Sequence, residues 1–185
     1  VIGGLTFSGD DRQYTYQKAV LSIKCPDPTW YDPELVIKRF DLGGGSSGFT
    51  VPMPVPFFVG ASSVSSTFVI EYSGSFTAYP IIRITGPITN LVLTNTTTGD
   101  KLDFTGKTIG VGETIIVDTR YGHKSVYDGI GANRIDMLTQ DSDLATFGIM
   151  PSPEVPGGSN SFSLSGTNIN PASGVTIEFN NRFLG

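Results

Sequence analysis

Apolar and polar side chains alternate in many short segments of this chain. Between residues 174 and 179, Val175, Ile177 and Phe179 alternate with Thr176 and Glu178. Because successive side chains of a β-strand point to opposite faces of a sheet, this pattern predicts a strand with one buried and one exposed face. Related patterns predict further strands near residues 19–24, 35–42, 67–72, 79–85, 91–95, 101–104, 114–118, 124–128 and 160–165.

Turn residues separate these predicted strands. Glycine stands beside proline, threonine, serine or aspartate between most of them, as in Gly86-Pro87 and Thr98-Gly99-Asp100. Strands of about five residues at intervals of about ten are typical of antiparallel sandwiches and barrels. We therefore predict an all-β antiparallel sandwich with at most one or two short helical turns, placed near residues 141–147.

Prolines divide the chain. Pro26, Pro28 and Pro33 predict a junction over residues 26–33 between an N-terminal unit and the main domain. The glycine- and serine-rich segment 43–48 predicts a flexible loop, and alternating prolines in segment 51–56 predict an extended edge or connector. We accordingly expect two parts, an N-terminal unit with its junction at residues 1–28 and a sandwich domain at residues 29–185.

The N-terminal segment has a strand pattern of its own. Apolar side chains alternate around Leu5 and Phe7, and the turn residues Gly9, Asp10 and Asp11 follow. Because the chain begins with valine and its first segment is short, we expect it to be a fragment that retains the end of a preceding domain.

Composition and charge argue against several kinds of partner. The 12 basic and 17 acidic residues give a net charge of -5, and lysine and arginine form no cluster, so we expect no nucleic-acid partner. No apolar run approaches the roughly 18 residues that cross a bilayer, so we expect no membrane insertion. Cys25 is the only cysteine, and an internal disulfide is therefore impossible.

Residues that carry enzyme chemistry are sparse. His123 is the only histidine and lies in a predicted hairpin turn, which favours a solvated polar residue over a catalytic base. Cys25 fits a small buried residue better than a reactive thiol. Asp141 and Asp143 fit the cap of a short turn better than a catalytic pair or a calcium site. We therefore predict no catalytic, metal-binding or cofactor-binding residues and no enzyme activity.

Trp30 and Tyr31 are the candidate contact residues. They are neighbours within the proline-rich junction. If exposed, the two rings are suited to stacking on sugars or anchoring a protein interface; if buried, they would close one end of the core. The sequence leaves both interpretations open, because large aromatic side chains are favoured in cores and in interface centres alike.

The order of several motifs resembles the distal tail proteins of long-tailed bacteriophages. Cys25-Pro26-Asp27-Pro28 and Trp30-Tyr31-Asp32 are similar to the junction between the ring-forming and galectin-like parts of that family. The segments 79–87, 95–99, 112–119 and 138–151, with Asn160 and the closing Asn181-Arg182-Phe183, follow the same order as in the family.

The resemblance implies a galectin-like jelly roll over residues 29–185 and a structural role at the virion tail tip, after synthesis in the cytoplasm of the host bacterium. The expected partners are other tail proteins: further copies in a hexameric ring, the tail hub and the receptor-binding protein. Compared with that family, we expect most of the ring-forming part to be absent from these residues. One histidine also cannot supply the paired histidine, asparagine, arginine and tryptophan set with which galectins bind sugars.

Two other functions remain open from the sequence. The first is a carbohydrate-binding module that contacts host cell-wall polysaccharide through Trp30, Tyr31 or loop tyrosines. The second is a hydrolase with paired carboxylates, which 17 acidic residues permit without indicating. We take structural docking as the leading expectation.

Overall fold

The computed structural model describes residues 3–12, 17–23, 27–42 and 63–184. Within these residues the chain forms strands and two short 3₁₀ helices, at Ile135–Met137 and Pro156–Gly158. The strands are β1 (Gly3–Arg12), β2 (Gln17–Ile23), β3 (Thr29–Asp41), β4 (Ser63–Glu71), β5 (Ile81–Thr85), β6 (Ile88–Asn95), β7 (Lys101–Asp103), β8 (Thr108–Ile109), β9 (Thr114–Asp118), β10 (Ser125–Asp128), β11 (Ser159–Thr167) and β12 (Gly174–Leu184).

Two antiparallel sheets pack against each other. Sheet I has the strand order β10-β9-β5-β12-β3, and sheet II has the order β4-β11-β6-β7 with β8 also paired to β6. Strands β1 and β2 pair with each other in a separate two-stranded sheet. The predicted all-β sandwich is confirmed.

The core lies between the inner faces of sheets I and II. Ile82, Val117 and Ile177 enter it from sheet I, and Leu93 and Phe162 enter it from sheet II, all with no exposed surface. Full burial of an aliphatic or aromatic side chain contributes about 1.5–3 kcal/mol. In β11 and in the first half of β12, the alternation read from the sequence sets which face of the strand lies in the core.

A glycine allows the chain to pass from one sheet to the other. β5 belongs to sheet I and β6 to sheet II, and only Gly86 and Pro87 connect them. A Cβ atom on Gly86 would lie 2.2 Å from the carbonyl oxygen of Gly110. Such a close approach of two backbone segments excludes any side chain, which is why this predicted Gly-Pro turn can be so tight.

The predicted strands are present, but several boundaries and one element differ. The predicted junction over residues 26–33 is wrong in its second half, because β3 begins at Thr29 and continues through Pro33. Pro33 is tolerated because β3 is an edge strand, where a ladder donor is dispensable. The predicted turn at Asp10 and Asp11 is also wrong, since β1 runs to Arg12.

The segment near residues 141–147 forms turns rather than a regular helix. The amide of Phe147 donates to the carbonyl oxygen of Asp143 at 2.8 Å, which closes a single turn. The carboxylate of Asp143 accepts a hydrogen bond from the amide of Lys101 instead of capping this turn. Two predictions, the loop at 43–48 and the connector at 51–56, lie outside the described residues, and so does Cys25.

Candidate functional site

A cleft of about 240 Å³ opens on the outer face of sheet I, where β3 begins and β12 ends. Three tyrosines line it: Tyr31 from β3, Tyr79 just before β5 and Tyr121 just after β9. Leu35 and Ile81 add apolar surface. The mixture of aromatic, aliphatic and polar lining is typical of a small-molecule binding site.

Arg182 holds this end of the sandwich together from within. Its side chain is 5% exposed, and its Nη2 atom donates to both carboxylate oxygens of Asp27 at 2.9 Å. Its Nη1 atom donates to the carbonyl oxygen of Thr77 at 2.8 Å. The guanidinium carbon lies 5.1 Å from the centre of the Tyr31 ring and 5.6 Å from that of Tyr79. One cation therefore positions two of the three tyrosines.

Asp27 is the counter-charge of Arg182. Burial raises the pKa of its carboxyl, but hydrogen bonds from Tyr31 and Thr29 and the charge of Arg182 outweigh burial, so the pKa lies below its ordinary value. The Tyr31 hydroxyl donates to Asp27 Oδ2, and burial together with this bond raises the pKa of the phenol. Tyr31 is thus a neutral donor with a fixed ring position.

Asn180 shapes the edge of the cleft. The register of β12 and β3 shifts between Asn180 and Arg182. At this irregularity the Nδ2 atom of Asn180 donates to the carbonyl oxygens of Asp32 and Glu34, at 3.1 and 3.2 Å. Both amide protons are committed to the edge strand, which leaves the Oδ1 atom of this cleft-lining residue as an acceptor.

The remaining charges of the cleft are paired with neighbours. Arg120 binds Asp118 through Nε and Nη2, at 3.0 and 2.6 Å. Glu178 accepts from Nε of Arg83 at 2.7 Å. Burial raises the pKa of the Asp118 carboxyl. The hydrogen bonds and the charge of Arg120 outweigh burial, so this pKa lies below its ordinary value.

These pairings determine what the cleft can do chemically. A general acid needs a carboxyl whose pKa is raised towards neutrality, as in glycosidases. The carboxylate of Glu178, which lines the cleft, is paired with Arg83. The carboxylate of the neighbouring Asp118 is held ionised by Arg120. The arrangement therefore favours binding of a polar ligand over proton transfer.

The structure separates the two aromatic residues singled out from the sequence. Tyr31 lines the cleft, whereas Trp30 does not and is 71% exposed opposite Phe183 of β12. Adjacent side chains of a strand point to opposite faces, which accounts for the difference. Neither ring closes the core, since Tyr31 is also 53% exposed.

The other residues weighed from the sequence lie apart from the cleft lining. His123 is exposed in the predicted turn, and its amide donates to Arg120. Asp141 is exposed, and Asp143 binds the backbone of Lys101. In the part of the chain that the structure describes, no three histidine, cysteine, aspartate or glutamate side chains are grouped as metal ligands. The same residues contain no helix long and apolar enough to span a membrane.

Sequence reasoning missed most of the cleft. Tyr79 lies at the start of a predicted strand, Tyr121 in the predicted turn that contains His123, and Arg182 in the closing motif, whereas the sequence singled out nothing at Arg120. The alternation of β12 gave no signal for Arg182, because this residue has the same parity as Thr176 and Glu178 and would be expected on the exposed face. Only the register shift after Asn180 turns its side chain inward.

No protein-family model matches this chain. No curated protein and no solved structure matches it either.

Proposed function

We propose that this chain is a non-catalytic structural module of a phage or prophage tail tip that docks onto other tail proteins, further copies of itself first among them. The observation that carries the docking role is strand β3. It lies at one edge of sheet I and exposes Trp30, Tyr31, Leu35 and Ile37, each with 48% or more of its surface accessible.

An edge strand with large apolar side chains is suited to association. Its outer backbone groups can pair with a strand of another chain, and the side chains add apolar contact area. Aromatic anchors such as Trp30 carry a large share of the free energy of binding in many interfaces. The order of motifs that resembles distal tail proteins supports the tail tip as the setting, with the tail hub and the receptor-binding protein as the remaining partners.

Mass measurement in solution tests the docking role. We expect the protein to assemble into a ring of about six subunits, because the distal tail proteins that its motifs resemble form hexameric rings and identical copies close with cyclic symmetry. Ile37→Asp, on the exposed face of β3, should lower the mass towards that of a monomer. Val69→Asp is the matched control, because Val69 is 52% exposed on β4, which is an edge strand of sheet II. A wild-type monomer at every concentration would contradict self-association.

Electron microscopy tests the setting. Gold-labelled antibody against the chain should mark the tail tip of virus particles released from the host that carries its gene. Label confined to the cell envelope would contradict a tail-tip role.

A second candidate function is carbohydrate binding. It is favoured by the cleft, because Tyr31 lies there with Tyr79 and Tyr121 beside hydrogen-bonding side chains. A glycan array probed with the purified chain tests it, and saturable binding to at least one glycan is the expected result.

A further inference from the structure

We propose that the cleft on the outer face of sheet I binds one uncharged pyranose ring, which stacks on Tyr121 and is hydrogen-bonded by Asn180, Glu178 and Arg120. This inference rests on the second candidate function, carbohydrate binding, and names its site and ligand class. The cleft shares Tyr31 and Leu35 with the proposed docking surface of β3, and the two claims are tested by different measurements.

The size of the cleft limits the ligand. Pockets for drug-sized molecules measure roughly 300–1,000 Å³, and this cleft measures about 240 Å³. A single ring therefore fits the space, and a longer saccharide would extend along the surface from it. A peptide segment, with its many side chains, needs a longer groove.

Tyr121 offers the free aromatic face. It is 70% exposed, whereas the rings of Tyr31 and Tyr79 are already contacted by Arg182 and that of Tyr79 also by Lys124. The face of an aromatic ring is negative, and the C–H groups on one side of a pyranose are weakly positive, so the two surfaces attract. Leu35 and Ile81 add apolar surface to the same cleft.

The polar atoms that line the cleft match sugar hydroxyls, which both donate and accept hydrogen bonds. Asn180 has its Oδ1 oxygen available because Nδ2 is bound to the backbone of β3. Glu178 uses Oε1 for Arg83, which leaves Oε2 as an acceptor. Arg120 uses Nε and Nη2 for Asp118, which leaves Nη1 as a donor.

The charge balance selects an uncharged sugar. Each arginine in the cleft has a carboxylate partner, Arg120 with Asp118 and Arg182 with Asp27, and Glu178 has Arg83. A carboxylated or sulfated sugar would have to displace one of these partners or remain beside Glu178 without a free counter-charge. A neutral ring avoids both costs.

The polar side chains are held before any ligand arrives. Asn180 is fixed by two backbone bonds and Arg120 by a two-point contact with Asp118. Ligand binding therefore loses little side-chain freedom at these residues, which favours affinity from a small contact area.

Calorimetric titration of the whole chain tests this site. The neutral ligands are the component sugars of any glycan that binds on the glycan array, and the charged probes are glucuronate and sialic acid. Tyr121→Ala should weaken binding of the neutral sugar roughly tenfold or more, the size expected for loss of a central aromatic contact. Because Tyr121 is largely exposed, the melting temperature of this variant should equal that of the wild type. Glu178→Gln, which keeps the shape but alters one acceptor, should also weaken binding, and Trp30→Ala should leave it unchanged.

The outcomes separate the two claims. Binding that is lost in Trp30→Ala and kept in Tyr121→Ala would uphold carbohydrate binding and overturn this site. Tighter binding of the charged probes would overturn the neutral ligand class. If no glycan binds saturably, carbohydrate binding and this inference fall together, whereas the docking role through β3 is still decided by mass measurement.

Discussion

The two halves of strand β12 are stabilised in different ways. In the first half, Val175, Ile177 and Phe179 point inward and are almost fully buried. In the second half, the register with β3 shifts after Asn180, and the buried side chain is that of Arg182. One half therefore depends on apolar burial, and the other depends on hydrogen bonds and a charge pair.

The difference shows how a sandwich can build a site without losing its core. The apolar half holds β12 between its two neighbours, since it pairs with β3 from Gly174 to Asn180 and with β5 from Gly174 to Glu178. The polar half ties that strand to the loop before β5, where Tyr72 accepts from the amide of Arg182 and donates to the carbonyl of Phe76. The cleft opens beside this polar half.

Among substitutions in the two halves of β12, Ile177→Ala should cause the largest loss of stability. Ile177 has no exposed surface, so its truncation leaves a cavity and should lower the free energy of unfolding by about 2–5 kcal/mol in urea denaturation. Ile130→Ala is the control, because Ile130 is 93% exposed and its replacement should change stability by only about 0.5 kcal/mol. Equal losses in the two variants would contradict the assignment of Ile177 to the core.

Arg182→Met should lower the free energy of unfolding by a smaller amount. It removes the charged donor of Asp27 and of the Thr77 carbonyl, and hydrogen bonds to charged groups contribute about 1.5–3 kcal/mol. Arg39→Met is the matched control, since Arg39 pairs with Asp41 on the exposed surface, where ion pairs contribute about 0–1 kcal/mol. Similar losses in the two variants would show that the burial of Arg182 has no energetic consequence.

The contribution of Asp27 should depend on pH. Its pKa is lower in the folded chain than its ordinary value near 3.8, so the carboxylate stabilises the fold at neutral pH. That contribution is present above pH of about 4 and is lost as the pH falls through the lowered pKa. Denaturation curves from pH 7 to 3 should therefore show the wild-type advantage over Arg182→Met shrinking at the acid end. A constant difference would contradict the pairing.

Asn180→Ala should have the smallest effect of the series. The side chain gives two hydrogen bonds to carbonyls of β3, but those carbonyls lie near water and can be solvated after its removal. We expect a loss of about 0.5–1.5 kcal/mol, together with faster amide exchange near residues 32–34. Asn181→Ala, at the neighbouring position, is the control and should change stability by less than about 0.5 kcal/mol. Equal changes in both variants would contradict the role of Asn180 at the irregularity.

The extent of sequence-based prediction differs between the core and the cleft. The alternation of Val175, Ile177 and Phe179 was sufficient to predict both the strand and its buried face. The start of β3 was missed because Pro33 suggests a break, and a proline is compatible with a strand only if that strand lies at an edge. Which strand lies at an edge depends on pairings far apart in the chain.

The cleft was beyond prediction for a related reason. Tyr31, Tyr79 and Tyr121 belong to three segments, and nothing local relates one to another. Tyr31 was singled out with Trp30 because both are large and aromatic, but only the strand direction and the position of β12 decide which of them faces the cleft.

By itself, the amino-acid sequence determined the strands, their inward faces and the all-β class, because side-chain alternation and turn residues act over a few positions. The tertiary structure alone decided which strand became the exposed edge, where the register of β12 shifted, and which tyrosines came together around Arg182. Those features depend on contacts between residues more than a hundred positions apart, such as Arg182 with Asp27.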